Sequence, residues 1–203
     1  MTNIAEGSAT GVDQPRRAAD ARTHVPGDSS MWFFVIGDFL IFGVYFVGYM
    51  YFRGQNHELF LSSQARLNLD IGAINTVVLL SSSLFVALGT AAARAGNTAE
   101  AVRRFWTALV FGAAFPLLKM FEWIPEISGG LTPGTNLFFM FYYVMTGMHL
   151  CHVLLGLVIM CFVISNLKTS QPPKISFVET GATYWHMVDV LWLVLFAVLY
   201  SMR

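Results

Sequence analysis

The sequence predicts an all-α fold, a polytopic membrane protein built as a bundle of five transmembrane helices. Three observations carry this reading. Only 12% of the 203 residues are charged and 56% are hydrophobic, where an ordinary soluble domain carries roughly 25% charged residues. The polarity is also segregated, because Asp38, Lys119, Glu122 and Asp189 are the only Asp, Glu, Lys or Arg inside five long apolar runs. Each run reaches the roughly 20 residues a helix needs to cross a hydrocarbon core about 30 Å thick. Backbone amides in lipid must be satisfied internally, and unbroken runs of this length do so as helices, whereas a barrel needs shorter alternating strands.

In chain order, residues 1–30 are rich in Ala, Gly, Asp, Arg and Thr and contain Pro15 and Pro26. Nothing there has apolar periodicity, so a flexible polar arm is expected, followed by the transmembrane domain, 31–203. Arg16-Arg17 precede a polar stretch and not an apolar core with a cleavage site, which argues against an export signal. The first span is 32–52, closed by Arg53-Gly54-Gln55-Asn56, and the second is 71–93, closed by Arg94-Ala95-Gly96-Asn97. The third, 105–124, contains Pro116, which removes the amide that would bond the Gly112 carbonyl and is expected to bend the helix. A loop from Pro125 through Gly134 follows, in which Glu126 is expected to be open to water. The fourth span, 136–165, has 30 residues and must tilt or protrude. Lys168 through Lys174, with Pro172-Pro173, separate it from the fifth, 181–202.

Counting Lys and Arg orients the bundle. The arm and the loops after the second and fourth spans hold Arg16, Arg17, Arg22, Arg94, Arg103, Arg104, Lys168 and Lys174, while Arg53, Arg66 and Arg203 lie on the other side. The rule places the N-terminus in the cytoplasm and, after an odd number of crossings, the C-terminus outside. Trp32, Trp106, Trp123 and Tyr200 sit near span ends, as an interfacial aromatic belt requires. The formal net charge is zero, so no basic surplus points to nucleic acid. Cys151 and Cys161 are ten residues apart in one span, roughly 15 Å on a helix and too far to bridge.

Function is most legible where polarity is costly, since a charged side chain at mid-helix costs roughly 2.5–3.5 kcal/mol on insertion scales. Seven residues qualify: Asp38 in the first span, Lys119 and Glu122 in the third, His149 and His152 in the fourth, His186 and Asp189 in the fifth. Lys119 with Glu122, and His186 with Asp189, are spaced i, i+3 and so share one helix face. The first pair is expected to form an ion pair, the second to share a hydrogen bond that fixes the imidazole tautomer. His149, His152 and Gly156 form a stripe along which another helix can approach closely, so the polar faces of the fourth and fifth spans are expected to meet. Three histidines and a carboxylate also raise a metal or haem b site. Haem b needs two facing histidines at matched depth and a di-iron oxygenase many more than three, so interhelical hydrogen bonds are the better account. Ser81-Ser82-Ser83 are expected to allow close packing and to bond back to helix carbonyls. Asp38 is open to two readings, a protonated carboxyl bonded to a neighbour or a proton or ligand site. Burial makes Asp189→Ala the more damaging change by comparison with Glu126→Ala.

Two stretches go further. Gly147-Met148-His149-Leu150-Cys151-His152-Val153-Leu154-Leu155-Gly156 resembles the G-x-H-x-x-H-V-x-x-G run of haem-copper oxidase (cytochrome c oxidase) subunit III. Tyr184-Trp185-His186-Met187-Val188-Asp189-Val190-Leu191-Trp192 is similar to that family's closing Y-W-H-x-V-D-x-x-W motif. Glu122, in Phe121-Glu122-Trp123, matches its Glu-aromatic step, and the resemblance extends from about residue 27 to the end. Asp38, in Gly37-Asp38-Phe39-Leu40-Ile41-Phe42, stands where the family usually has Glu, and Lys119 where many versions have an uncharged polar residue.

The resemblance implies a short five-helix form, lacking the first two helices of the seven-helix versions. It implies a subunit of an oxidoreductase complex with no catalytic centre, haem or copper of its own, packed on a catalytic subunit I that carries haem with copper or iron. Such a subunit holds phospholipid and supports proton uptake in the inner (plasma) membrane, with the seven residues fixing helix contacts or lining lipid or proton pockets. The Pro26-Gly27-Asp28 entry to Met31-Trp32-Phe33-Phe34 and the Lys119-x-x-Glu122 variation resemble the branch associated with nitric oxide reductase. The rival reading is a stand-alone proton-coupled transporter using Asp38, Lys119, Glu122, His186 and Asp189 as a relay. Against it, no half-repeat or matched pair of broken spans is visible.

Overall fold

A computed structural model describes residues 29–170 and 172–202. Residues 1–28 of the expected arm fall outside the described residues, as do Arg203 and the arginines the arm contributes to the charge count, while Ser29 and Ser30, placed in the arm by the sequence, already belong to the first helix. Among the described residues there is no strand. The helices are α1 (Ser29–Gln55), α2 (His57–Gln64), α3 (Leu69–Arg94), α4 (Thr98–Ser128), α5 (Leu137–Thr169) and α6 (Ile175–Phe196), the last continued by a wider turn over Ala197–Ser201. Five of them are long and apolar enough to cross a membrane, and the chain is a multi-pass membrane protein. The short α2, lying between the first two crossings, is an element that apolar run length does not reveal.

The helices outrun the apolar segments that mark them, and polar local chemistry explains where they begin. Asn68 opens α3 by accepting the Asp70 and Ile71 amides at 3.0 and 3.3 Å, Asn97 opens α4 through the Glu100 amide, and Asn136 opens α5 through the Phe139 amide. In the first turn of α4, Glu100 is flanked by Arg103 and Arg104, each 2.6 Å away. That ladder carries the helix below the point where its apolar run starts. At the other end α4 passes through Pro125 to Ser128, so Glu126 is not a loop residue. It is half-buried, with Oε2 3.3 Å from the Tyr143 hydroxyl oxygen. The same hydroxyl donates at 2.8 Å to the Leu131 carbonyl, which folds the α4–α5 connection back on itself.

Contacts are densest between α3 and α4, whose turn needs a left-handed residue that Gly96 supplies at φ 78°. The turn brings α4 close enough for the Ser82 hydroxyl to donate to the Ala108 carbonyl at 2.7 Å. α6 then packs on α3 and α5, and α1 leans on α5 and α6. Outward faces are apolar, with Phe33 80%, Val44 72% and Phe121 72% exposed, as a lipid-facing surface should be.

Trp185 of α6 is the keystone of the interior. A Cβ built on Gly112 of α4 would stand 2.7 Å from its ring, and one built on Gly156 of α5 would stand 2.7 Å from the ring's other edge. The two glycines form a slot that admits a buried indole where two helix backbones pass. The stripe ending at Gly156 thus receives a neighbouring helix, as expected from its spacing. Gly156→Ala should destabilise the bundle by about 1–3 kcal/mol, the usual cost of overpacking. Gly43→Ala, with nothing within 4 Å of the added carbon, should leave it unchanged; denaturant titration of the purified protein in detergent micelles makes the comparison, and equal midpoints would contradict the slot.

Candidate functional site

The polar groups inside the bundle divide into three neighbourhoods. The deepest is built on Lys119 and Glu122, one turn apart on α4, with side chains 0% and 1% exposed and Nζ 2.9 Å from Oε2. The ion pair expected from their spacing therefore forms, and two phenols complete it. Lys119 Nζ also donates to the Tyr142 hydroxyl of α5 at 3.1 Å and to the Tyr200 hydroxyl beyond α6 at 2.6 Å. Each phenol in turn donates to Glu122 Oε1, at 3.1 Å from Tyr142 and 2.5 Å from Tyr200. All three ammonium protons are used, and both carboxylate oxygens are occupied. The ammonium also lies 4.8, 5.4 and 5.3 Å from the ring centroids of Tyr142, Trp192 and Tyr200, so the charge rests in a cage of π faces. Chemically this is a closed, charge-balanced knot joining three helices.

Tyr200 reaches the knot because the chain changes pitch. After Phe196 the backbone bonds run i to i+5, as in Met202 N–H to the Ala197 carbonyl at 3.0 Å. Tyr200 is 1% exposed, so it belongs to the interior and not to the interfacial belt. Trp32 and Trp106, 40% and 47% exposed, do face outward. Trp123 is half-buried against Tyr143, with ring centroids 5.6 Å apart.

The second neighbourhood joins α1 to α5. His152 Nε2 lies 3.2 Å from Asp38 Oδ2, close enough for attraction though off the line of a good hydrogen bond. Its Nδ1 meets the Met148 carbonyl of the preceding turn at 2.8 Å. The aspartate's nearest basic group is thus a histidine across a helix interface. The Tyr184 hydroxyl donates to the His152 carbonyl at 3.2 Å, which brings α6 to the same point.

The third lies on α6 and α3. His186 Nδ1 and the Ser83 hydroxyl share a hydrogen bond at 2.6 Å, while Asp189 Oδ1, one turn further along α6, is buried with no hydrogen-bond partner among the described residues. In place of the expected His186–Asp189 bond within α6, His186 is held by a serine on another helix. The polar face of α6 accordingly turns toward α3, correcting the expectation that it looks at the histidines of α5. Of the three serines, Ser81 bonds back to the Val77 carbonyl at 2.8 Å as expected, while Ser82 and Ser83 reach across to α4 and α6. Trp192 Nε1 donates to Thr76 Oγ1 at 3.0 Å, a further link between α3 and α6.

His149 belongs to none of these. Fully buried, it lies against Trp192 at 5.2 Å and meets Phe115 edge-on at 5.4 Å, and neither ring nitrogen has a partner among the described residues. The three intramembrane histidines therefore have three separate surroundings. No group of three or more His, Cys, Asp or Glu side chains that could hold a metal ion occurs among the described residues.

Removing one member of the knot should be far worse than removing both charges. Glu122→Leu strands a buried ammonium and should cost roughly 3–5 kcal/mol, whereas Lys119→Met with Glu122→Leu should recover most of that loss. Folded fraction in detergent, scored by resistance to unfolding, reads the difference; a double variant no better than the single would show that the ion pair is not the dominant interaction there.

A family profile described as Cytochrome c oxidase subunit III matches residues 27–202. Among curated proteins, cytochrome c oxidase subunit 3 of Thermostichus vulcanus is 31% identical over 96% of this chain and 94% of its own length. Cytochrome c oxidase subunit 3 of Synechocystis sp. is 33% identical over 82% of this chain and 72% of its own length. A protein of Aeropyrum pernix called Heme-copper oxidase subunit I+III is 26% identical over 85% of this chain, which covers 22% of that protein. A match spanning all five crossings, with the motif residues placed at the helix contacts just described, leads to one conclusion: the chain belongs to the cytochrome c oxidase subunit III family.

Proposed function

We propose that this chain is a non-catalytic subunit of a respiratory haem-copper complex, packed against the catalytic subunit I, in which the haem and the copper or iron reside. One observation carries the reading. The buried polar groups of the Lys119–Glu122 knot, the Asp38–His152 contact and the Ser83–His186 link are directed at one another across helices. Such groups act as joinery and leave the redox chemistry to a neighbour. The name Heme-copper oxidase subunit I+III, with this chain matching 22% of that protein's length, supports subunit I as the neighbour.

The finer roles follow from the same surfaces. Phe39, Leu40, Gly43, Val44 and Val47 of α1 line an open, apolar depression of about 370 Å³, a shape suited to a phospholipid chain. The seven intramembrane residues Asp38, Lys119, Glu122, His149, His152, His186 and Asp189 serve as helix links, and Asp38, on the least enclosed of the spans, is the one best placed to exchange protons in support of uptake by the catalytic subunit. The buried Lys119 favours the branch associated with nitric oxide reductase. The charge bias of the loops sets the N-terminus in the cytoplasm and the C-terminus outside the plasma membrane.

Extraction in mild detergent should yield this chain together with a large haem-bearing subunit, and the chain isolated alone should have a featureless visible spectrum. Stoichiometric haem on the isolated chain, or substrate turnover by it, would overturn the reading.

A further inference from the structure

A crevice between α3 and α6 carries polar chemistry from the membrane boundary toward mid-bilayer. Its α3 wall is Ala87, Thr90, Ala91 and Arg94. Its α6 wall is Glu179, Ala182, Thr183 and His186. Each set is spaced i, i+3, i+4, i+7, one face of a helix over two turns, so the crevice follows both helices for roughly 10 Å. α3 ends at Arg94 and Glu179 lies in the second turn of α6, so the two meet where both helices leave the apolar zone. Their ion pair, 2.7 Å long with the arginine side chain 53% exposed, marks the mouth. The half-buried His186, about 16 Å along α6, stands at the inner end.

This lining suits water and not an acyl chain. Alanine at three positions keeps the helix surfaces low and leaves about 240 Å³, against roughly 30 Å³ for each molecule of liquid water. The Thr90 and Thr183 hydroxyls donate to the Val86 and Glu179 carbonyls of their own helices, both at 2.9 Å, so their oxygens keep acceptor capacity. Among the described residues only Nδ1 of the His186 ring is engaged, by Ser83. One turn further in, Asp189 Oδ1 is buried and unpartnered. Hydrocarbon offers none of these groups a hydrogen bond, and ionisable side chains at such depth face a water-filled cavity or one another. The other polar neighbourhoods lie apart from this path. The Lys119–Glu122 knot is enclosed, His149 is fully buried, and Asp38 meets His152 at the α1–α5 contact.

We propose that the α3–α6 crevice is an aqueous inlet, open on the side of the membrane where α3 ends and α6 begins, through which water reaches His186 and exchanges protons with its imidazole. The charged and titratable groups bordering that exchange are Arg94 and Glu179 at the mouth, Ser83 on α3 opposite the ring, and Asp189 beyond it on α6. From α1 the ring is approached by Trp32, Val35 and Phe39, none of them charged. Proton exchange at this depth goes beyond the subunit role argued above and does not depend on which complex the chain joins.

The test uses the full chain in its native membranes, with Cys151 and Cys161 replaced by Ala. Single cysteines are introduced as Ala91→Cys and Ala87→Cys in the crevice, and as Val190→Cys and Val110→Cys on surfaces outside it. A charged, membrane-impermeant methanethiosulfonate is applied to right-side-out and to inside-out vesicles. Ala91→Cys and Ala87→Cys should react roughly tenfold or more faster than Val190→Cys and Val110→Cys, because a hydrated thiol ionises to the reactive thiolate and one in hydrocarbon does not. The reaction should also be confined to the side on which α3 ends. Crevice positions no faster than Val110→Cys would mean that acyl chains fill the space, and reaction at Ala91→Cys alone would stop the water short of His186; either result overturns the proposal. In micelles, with isotopically labelled histidine, the His186 ring N–H, assigned through His186→Gln, should exchange with water faster than that of His149. Ala91→Leu, which narrows the crevice without touching the imidazole, should slow that exchange. An unchanged rate in Ala91→Leu would show that the proton arrives by another way and overturn the assignment of the inlet.

Discussion

The helix-to-helix polar links in this bundle are arranged around one constraint, that a polar atom at bilayer depth has no solvent to fall back on. The knot of Lys119, Glu122, Tyr142 and Tyr200 is the strongest case. An isolated ammonium there would be prohibitive, yet each of its protons meets an oxygen and each carboxylate oxygen meets a donor. The helices that supply these groups are consequently fixed in rotation and depth relative to one another. A phenol displaced by one turn would leave one ammonium proton without an acceptor and take one donor from Glu122 Oε1. The apolar faces contribute little selectivity of this kind, because lipid tails are as good a neighbour as Leu or Val.

Much of the architecture is legible in the sequence because run length and charge segregation report directly on the bilayer. Five crossings, the Lys119–Glu122 pair and the close approach at Gly156 all follow from spacing on a 3.6-residue helix. Helix ends were harder to read, since they are set by interfacial chemistry that hydropathy does not register. The Glu100–Arg103–Arg104 ladder and the passage of α4 through Pro125 each extend a helix past its apolar segment.

The site was half visible for a related reason. Intrahelical pairs announce themselves by spacing, whereas partners on other helices do not, so Ser83 as the companion of His186 and the two phenols of the knot are not legible from spacing. A signal for Tyr142 did exist. Tyr142, Thr146, His149, Val153 and Gly156 recur at intervals of three and four and are buried together on one face of α5. Counting tyrosine as a polar tip on an apolar body, instead of as a belt residue, would have exposed it. Nothing in the local sequence announces the change of pitch that turns Tyr200 inward.

That change of pitch makes the tail of the last helix unlike the rest in how it tolerates evolutionary drift. The wide turn over Ala197–Ser201 absorbs one additional residue per ring, and deleting one there would swing the phenol about 100° around the helix axis. Exchange of one side chain for another can be accommodated along the outer surface of this segment, but a gain or loss of a single codon would unseat the counterion lattice as surely as mutating the lysine itself. The number of residues between Trp192 and Tyr200 therefore sets the position of the phenol more strictly than the identity of the outward-facing side chains does.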